Sequence, residues 1–179
     1  MKYLLRFLSY IAKKAAVLIL IIGLCATAFI SAMNLSNMFI LVNDGLEMRA
    51  NYVLGKNDGA ELYKFFSSDF LYRDELINSG SYTPYKISGS SYTLSINSMW
   101  AWPWQTTATA VVEEKVILEG YMKVEYQTPE QLASPDKIPA PAWENKKYEL
   151  TIRKQNDGSW IITALDTVED LPMATPRPN

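Results

Sequence analysis

Hydrophobic and polar positions change their rhythm three times along the chain. From Ala15 to Ala32 the run AAVLILIIGLCATAFISA holds 18 residues without a charge or a proline. As a helix it would span about 27 Å, close to the hydrocarbon thickness of a bilayer. Met33 extends it, so residues 15–33 are predicted to form a single transmembrane helix. Lys13 and Lys14 mark its start, and Ala15, Leu18, Ile19, Leu20, Ile21, Ile22, Leu24, Phe29 and Ile30 supply apolar surface for the anchor. Ahead of it, Leu4, Phe7, Leu8 and Ile11 share one helical face, with Arg6, Lys13 and Lys14 elsewhere. Residues 1–14 therefore read as an amphipathic segment in the cytoplasmic interface.

Past the membrane the period becomes helical. Leu35, Met38, Phe39, Val42 and Leu46 recur at i, i+3, i+4, i+7 and i+11, the signature of an amphipathic helix that packs on its own domain or, as the alternative, meets a partner helix near the membrane. This membrane-proximal helix, residues 34–56, is expected to stop at Gly55, with Gly45 as a candidate bend. Asn57 and Asp58 read as caps of a helix Ala60–Phe66. Ser67, Ser68 and Asp69 restart a second, Phe70–Ile77.

From residue 92 the period is two. Tyr92, Leu94, Ile96, Trp100, Trp102 and Trp104 fall at even positions, Ser98 being the polar exception. The tryptophans read as the continuation of one strand face, and Pro103 sets that strand at an edge or at its end. Thr106–Tyr126 alternates too, with Val116, Leu118, Met122, Val124 and Tyr126 on one face. Glu113-Glu114 interrupts it, predicting a bend or bulge in one long strand, or a turn between two. Gln127–Ala142, with Pro129, Pro135, Pro139 and Pro141, is a surface loop. Tyr148, Leu150 and Ile152 alternate again, Asn156-Asp157-Gly158 turns the chain, and Trp160, Ile162 and Ala164 return. Residues 57–168 form the predicted extracytoplasmic roll and 169–179 a proline-rich, fraying tail. Helices followed by antiparallel strands make an α+β fold: a transmembrane helix, then a cone-shaped roll of helices on a curved antiparallel sheet.

Charge fixes the orientation. The chain has 17 basic and 19 acidic residues, net −2. Lys2, Arg6, Lys13 and Lys14 all precede the apolar run; without these 4 the remainder carries 13 basic against 19 acidic residues, net −6. The positive-inside rule puts the N-terminus in the cytoplasm and the main domain outside the cell membrane. An acidic remainder argues against nucleic acid as a partner. Two processing readings compete with the anchor. Ala26-Thr27-Ala28 fits a signal-peptide cleavage site, but the apolar run continues past it into a helical pattern. Ile22-Gly23-Leu24-Cys25 resembles a lipobox, but Leu24 is bulky where a small residue is needed.

Candidate chemistry is sparse. There is no histidine and the one cysteine is Cys25. Histidine-based nucleophilic pairs, histidine general bases, the usual zinc sites and an intramolecular disulfide are thereby excluded. No catalytic residue, metal site or cofactor is expected.

The long helix before NDGAELYKFFSSDFL, the strand TATAVVEEKVILEGYMKVEY and the closing hairpin KKYELTIRKQNDGSWIITAL together resemble the nuclear-transport-factor-two-like superfamily, the cystatin-like roll. The resemblance covers roughly Leu35 to Val168. Enzymes of that superfamily place an acid or histidine in the cone cavity. Glu114 is the one carboxylate on the even, inward face of the long strand. At a pattern break it reads as a solvated bend residue rather than a catalytic base, and the protein is expected not to be an enzyme. With one N-terminal membrane helix, the chain is similar to assembly subunits of type IV secretion and conjugation machines and to ring-forming proteins of the sporulation channel. That resemblance implies a bacterial single-pass membrane scaffold that binds protein partners in an envelope complex, with homo-oligomers as one form of the assembly. The alternative is a sensory or small-molecule-binding roll holding an apolar ligand in the cone.

Three tryptophans present on the order of 600 Å² of surface, as much as the largest apolar patch of an ordinary monomer. Their sinks are the cone's own core, a partner groove, or the membrane interface or a stacked ligand. Periodicity assigns Trp100 to the core. Trp104, after Pro103, is expected to be the most exposed. Trp100, Trp102, Trp104 and Tyr92 are the candidate ligand or partner contacts.

Overall fold

A computed structural model describes residues 2–134 and 136–172. The three helical segments expected at the N-terminus are one: α1, Lys2–Val53, is a continuous helix of 52 residues. No proline or glycine pair interrupts it, so nothing forces a kink. Every residue from Arg6 to Ile30 is exposed, and this helix is long and apolar enough to cross a membrane. Burial begins at Asn34 and continues through Met38, Val42, Leu46 and Ala50. Phe39, expected on that buried stripe, instead points outward.

The helix ends as Gly55 requires. At φ 70° it allows the Gly55 N–H to reach the Tyr52 carbonyl and the Lys56 N–H the Asn51 carbonyl, at 2.9 and 2.8 Å, a Schellman cap. Gly45 is not a bend. A side chain there would meet Phe65 Cβ at 3.0 Å, so the glycine permits close approach of the segment that follows.

That segment is shorter and more broken than its pattern. Asn57 and Asp58 do turn the chain, accepting from the Gly59 and Ala60 N–H groups, but only a 3-10 turn, Leu62–Lys64, forms. The expected Phe70–Ile77 helix is two: α2, Ser68–Arg73, and α3, Glu75–Ser79. Asp74 separates them, closing one helix and capping the other through the Leu76 and Ile77 N–H groups.

The sheet is four-stranded, antiparallel and unclosed, in the order β1 (Tyr85–Trp100), β2 (Thr107–Met122), β3 (Lys146–Lys154), β4 (Trp160–Asp170). The fold is α+β. β2 runs through Glu113-Glu114 without a register break. The irregularities lie in its partner: β1 shifts register between Ile87 and Gly89 and between Ile96 and Ser98. Past Met122 the alternation gives way to a 3-10 turn, Val124–Tyr126, and the proline-rich loop holds a short helix, α4 (Pro129–Leu132), closed by a Thr128–Gln131 capping box. Pro135 lies outside the described residues, as do residues 173–179 of the predicted tail. The tail's first residues are held: the Leu171 N–H donates to the Asn145 carbonyl and Asn145 Nδ2 to the Pro172 carbonyl.

The core has two parts, and they fix which way the roll points. Met38, Leu41, Val42 and Leu46 of α1 join a cluster with Ala101, Ala108, Ala110, Ile152 and Ile162. Ala50 and Leu54 join another with Tyr82, Val116 and Trp143. The half of α1 next to the apolar run therefore packs with the β1–β2 and β3–β4 hairpin ends, and the far half with the opposite end of the sheet.

Candidate functional site

The inward positions of β2 are Ala108, Ala110, Val112, Glu114 and Val116. Glu114 therefore keeps the alternation rather than breaking it, and it is 0 % exposed. Its expected role as a solvated bend residue is wrong. The error lay in reading a charged residue as an interruption, when the strand continues and the carboxyl is buried with partners from other elements.

Those partners come from α1 and from the break between α2 and α3. Arg49, one turn past Leu46 on the buried stripe, reaches Asp74 with Nε–Oδ2 at 2.6 Å and Nη2–Oδ1 at 3.1 Å. Its Nη1 lies 3.8 Å from Glu114 Oε2, an ion-pair distance but beyond a hydrogen bond. Tyr92 from β1 and Trp143 from the loop before β3 flank the same carboxyl. Tyr148 of β3 lies close to both Arg49 and Glu114. Arg49 Nη1, both Glu114 carboxyl oxygens, the Tyr92 hydroxyl and Trp143 Nε1 are all buried and close no hydrogen bond among the described residues.

The sheet's own geometry makes room here. Pairing of β2 with β3 ends at Glu114–Lys146. Beyond it the fully buried Asn145 replaces the ladder, its Oδ1 accepting from the Val116 N–H at 2.9 Å. Outside this point opens a cleft of about 780 Å³, with Arg49, Asp74, Trp143 and Tyr148 in its wall together with Phe70 and Leu165. Glu114 lies behind that wall and does not line it.

Electrostatics decide the charge states. Burial pushes the Glu114 carboxyl up, against the opposing pull of Arg49 and then of the Tyr92 and Trp143 donors. Burial alone would lower Arg49, but the carboxylates of Glu114 and Asp74 outweigh it and the guanidinium is held charged. Burial, then Glu114, raises Tyr148 to about 12. Tyr92 is raised by the same causes in the same order. The cluster is thus a charged Arg49–Asp74 pair beside a carboxyl whose ionisation burial disfavours and the neighbouring guanidinium favours. Among the described residues no group of three or more Asp, Glu or Cys side chains could hold a metal ion.

The other candidates are distributed differently. Tyr92 is half-buried on the inner face. Trp100, Trp102 and Trp104 are 53, 46 and 71 % exposed, so the core position expected for Trp100 is wrong. The bulge at Asn97 is the cause: one extra residue turns every later side chain to the other face. Met99 and the fully buried Ala101 take the inward positions, and the tryptophans turn out. Their rings form a contiguous ladder, Trp100 edge-on to Trp102 at 5.4 Å and Trp102 stacked on Trp104 at 5.3 Å.

No family model matches the chain. No curated protein matches it either. A crystal structure of the Kfla4162 protein from Kribbella flavida is similar, at 13 % identity over 76 % of this chain and 93 % of that one, with a TM-score of 0.43. The overlap is too loose to carry anything about function. The helix-plus-sheet architecture is compatible with a nuclear-transport-factor-two-like roll.

Proposed function

We propose that the protein is a non-enzymatic, single-pass membrane protein of a bacterial envelope, its N-terminus cytoplasmic and its roll outside. The roll binds other proteins as a scaffold or subunit, as in the secretion-machine assembly subunits and sporulation-channel ring proteins that the sequence resembles. One observation carries this reading: the apolar, exposed part of α1 runs without a break into the core of the roll at Asn34 and Met38. A domain joined to its anchor by a continuous helix is held at a fixed height and orientation, which suits a structural subunit more than a loosely tethered receptor.

The filled interior supports the same reading. Met38, Leu46, Phe66, Leu150, Ile152 and Ile162 are fully buried side chains where an apolar ligand would otherwise sit. The cleft beside Arg49 favours a second reading, a polar small-molecule site outside that core. The test is purification of the intact chain from detergent-solubilised native membranes, followed by mass determination. A stoichiometric assembly larger than one chain supports the scaffold. A monomer that carries a small molecule instead, lost on Arg49→Met, supports the second reading. Protease added to intact spheroplasts should cut within the loop 127–142; full protection there would overturn the orientation.

A further inference from the structure

The tryptophan ladder has a position as well as an exposure. Trp100 ends β1, and the turn that follows is closed by Gln105, whose N–H donates to the Trp102 carbonyl at 3.0 Å while its Oε1 accepts from the Trp102 N–H at 2.8 Å. The ladder therefore sits on a tied hairpin tip. That tip belongs to the core cluster containing Met38 and Leu35, at the end of the roll next to the apolar run of α1.

Two routes lead from the buried ion pair toward this tip. The Arg49 and Glu114 side chains meet at 3.8 Å, Nη1 to Oε2. Going back along α1, 16 residues separate Arg49 from Met33, about 24 Å at helical rise. Going back along β2, 7 residues separate Glu114 from Thr107, about 23 Å at strand rise. Both routes run the same way, toward the apolar run of α1, so the tip lies on the membrane-facing side of the roll. Charge at this end agrees. Arg153, opposite Thr107, and Lys154, which donates to the Thr106 carbonyl, flank the tip. Asp157 is the acid of the neighbouring hairpin, and its carboxylate is engaged by Ser159.

We infer that Trp100, Trp102 and Trp104 form a second membrane contact, seated in the headgroup layer of the leaflet from which α1 emerges. Indole rings favour that layer because they are apolar and carry one N–H donor. The contact resolves why a sheet turns three large rings outward, and it fixes the roll's tilt as well as its height. It rests on the membrane-anchor reading above.

The test uses the intact chain reconstituted into phosphatidylcholine–phosphatidylglycerol vesicles that contain lipids brominated near the headgroup end of their acyl chains, which quench indole emission on contact. The chain has five tryptophans; Trp143 and Trp160 are buried in the roll and act as internal controls. Quenching should approach the share of emission carried by three of five rings. It should nearly vanish in the triple variant Trp100→Phe, Trp102→Phe, Trp104→Phe, and fall by part in Trp104→Phe, which keeps the test usable should the triple variant misfold. Carbonate-resistant flotation with the vesicles checks the anchor separately. Flotation without bromine quenching, but with full quenching by aqueous iodide, would leave the anchor standing and overturn the contact. Protection from both quenchers would mean that protein covers the rings, and would overturn it equally. Failure to float would remove the anchor on which the inference rests.

Discussion

Two ends of one sheet invert the usual partition of residues in opposite senses. At the hairpin end, Trp100, Trp102 and Trp104 face out. Further along, Arg49, Asp74 and Glu114 face in. Large aromatics are ordinarily buried and charges ordinarily wet. The charged end resolves its inversion internally, by pairing Arg49 with Asp74 at 2.6 Å and setting Glu114 beside the same guanidinium. The aromatic end has no internal resolution. Ring-on-ring stacking covers only part of each indole, and the remainder is exposed. The roll thus closes one exception within its own core and leaves the other open on its surface.

The buried pair should be the most sensitive point. Asp74→Ala leaves Arg49 charged and without its bidentate partner, and also removes the cap of α3. The loss should be about 3–5 kcal/mol from the orphaned charge, with about 1 kcal/mol more from the cap. Urea unfolding of the detergent-solubilised chain, followed by circular dichroism, measures it. A loss under about 1 kcal/mol would mean that water reaches the pair, which would weaken the contrast between the two ends.

The bulge can be removed directly. Deleting Asn97 removes the extra residue and leaves the cross-strand pairs Ile96–Val112, Ser98–Val111 and Met99–Ala110 in register, so Met99 should stay inward and Trp100 outward. Asn97 also donates to Glu113 Oε1 at 2.9 Å, a bond lost with it. The loss should be about 1 kcal/mol, that of the Asn97–Glu113 bond. The emission of Trp100 should not move, which fluorescence of the solubilised chain reads; a shift to the blue would mean that β1 slips its register instead.

Much of this fold was legible, and the failures share one cause. Gly55 as a helix stop, Asn156-Asp157-Gly158 as a turn, and the alternation of Tyr148–Ile152 against Trp160–Ala164 are local signals, and each was realised locally. The bulge was also written in the chain, since Ser98 is polar at an even position while Met99 and Ala101 are apolar at odd ones. Three tryptophans in phase with Tyr92 outweighed that hint. Arg49 stands at the helical spacing of the buried stripe and Glu114 at the strand spacing of the inner face. Periodicity turns both inward, but the charge of Glu114 argued for exposure and Arg49 was not singled out. Only the pairing of α1 with Asp74, 25 residues on, makes their burial affordable, and no local pattern reports a partner that distant.

Glu114→Gln tests the direction in which burial moves the buried carboxyl. The folded carboxyl is raised above its ordinary value by burial. A raised acid contributes stability that is fully present below its unfolded pKa and is lost as pH rises through the folded one. The wild-type chain should therefore lose stability relative to the Gln variant as pH climbs from about 4.5 upward. Below that range the two should be close, since a protonated carboxyl and an amide are similar in size and both can donate. Thermal melts across pH 4 to 8 would measure the difference. A gap that shrinks with rising pH would mean that Glu114 is ionised in the folded protein and paired with Arg49.

The smallest effect belongs to the tryptophans, and its smallness is the informative part. In detergent micelles that leave the hairpin tip in water, Trp104→Ala should change stability by no more than about 0.5 kcal/mol, as at other exposed sites. Trp100→Ala should behave alike, because the bulge has turned both rings away from the core. Trp160→Ala, at a buried position of the same end of the sheet, should cost about 3–5 kcal/mol. The measurement is urea unfolding of each single variant under one condition. If Trp100→Ala costs as much as Trp160→Ala, the ladder is part of the roll's own stability and needs no outside surface. If the ladder variants are silent in micelles but loosen the roll's orientation in a bilayer, the exposed rings are held for what lies beyond the chain. The tryptophan end is then the counterpart of the charged end, open where the other is closed.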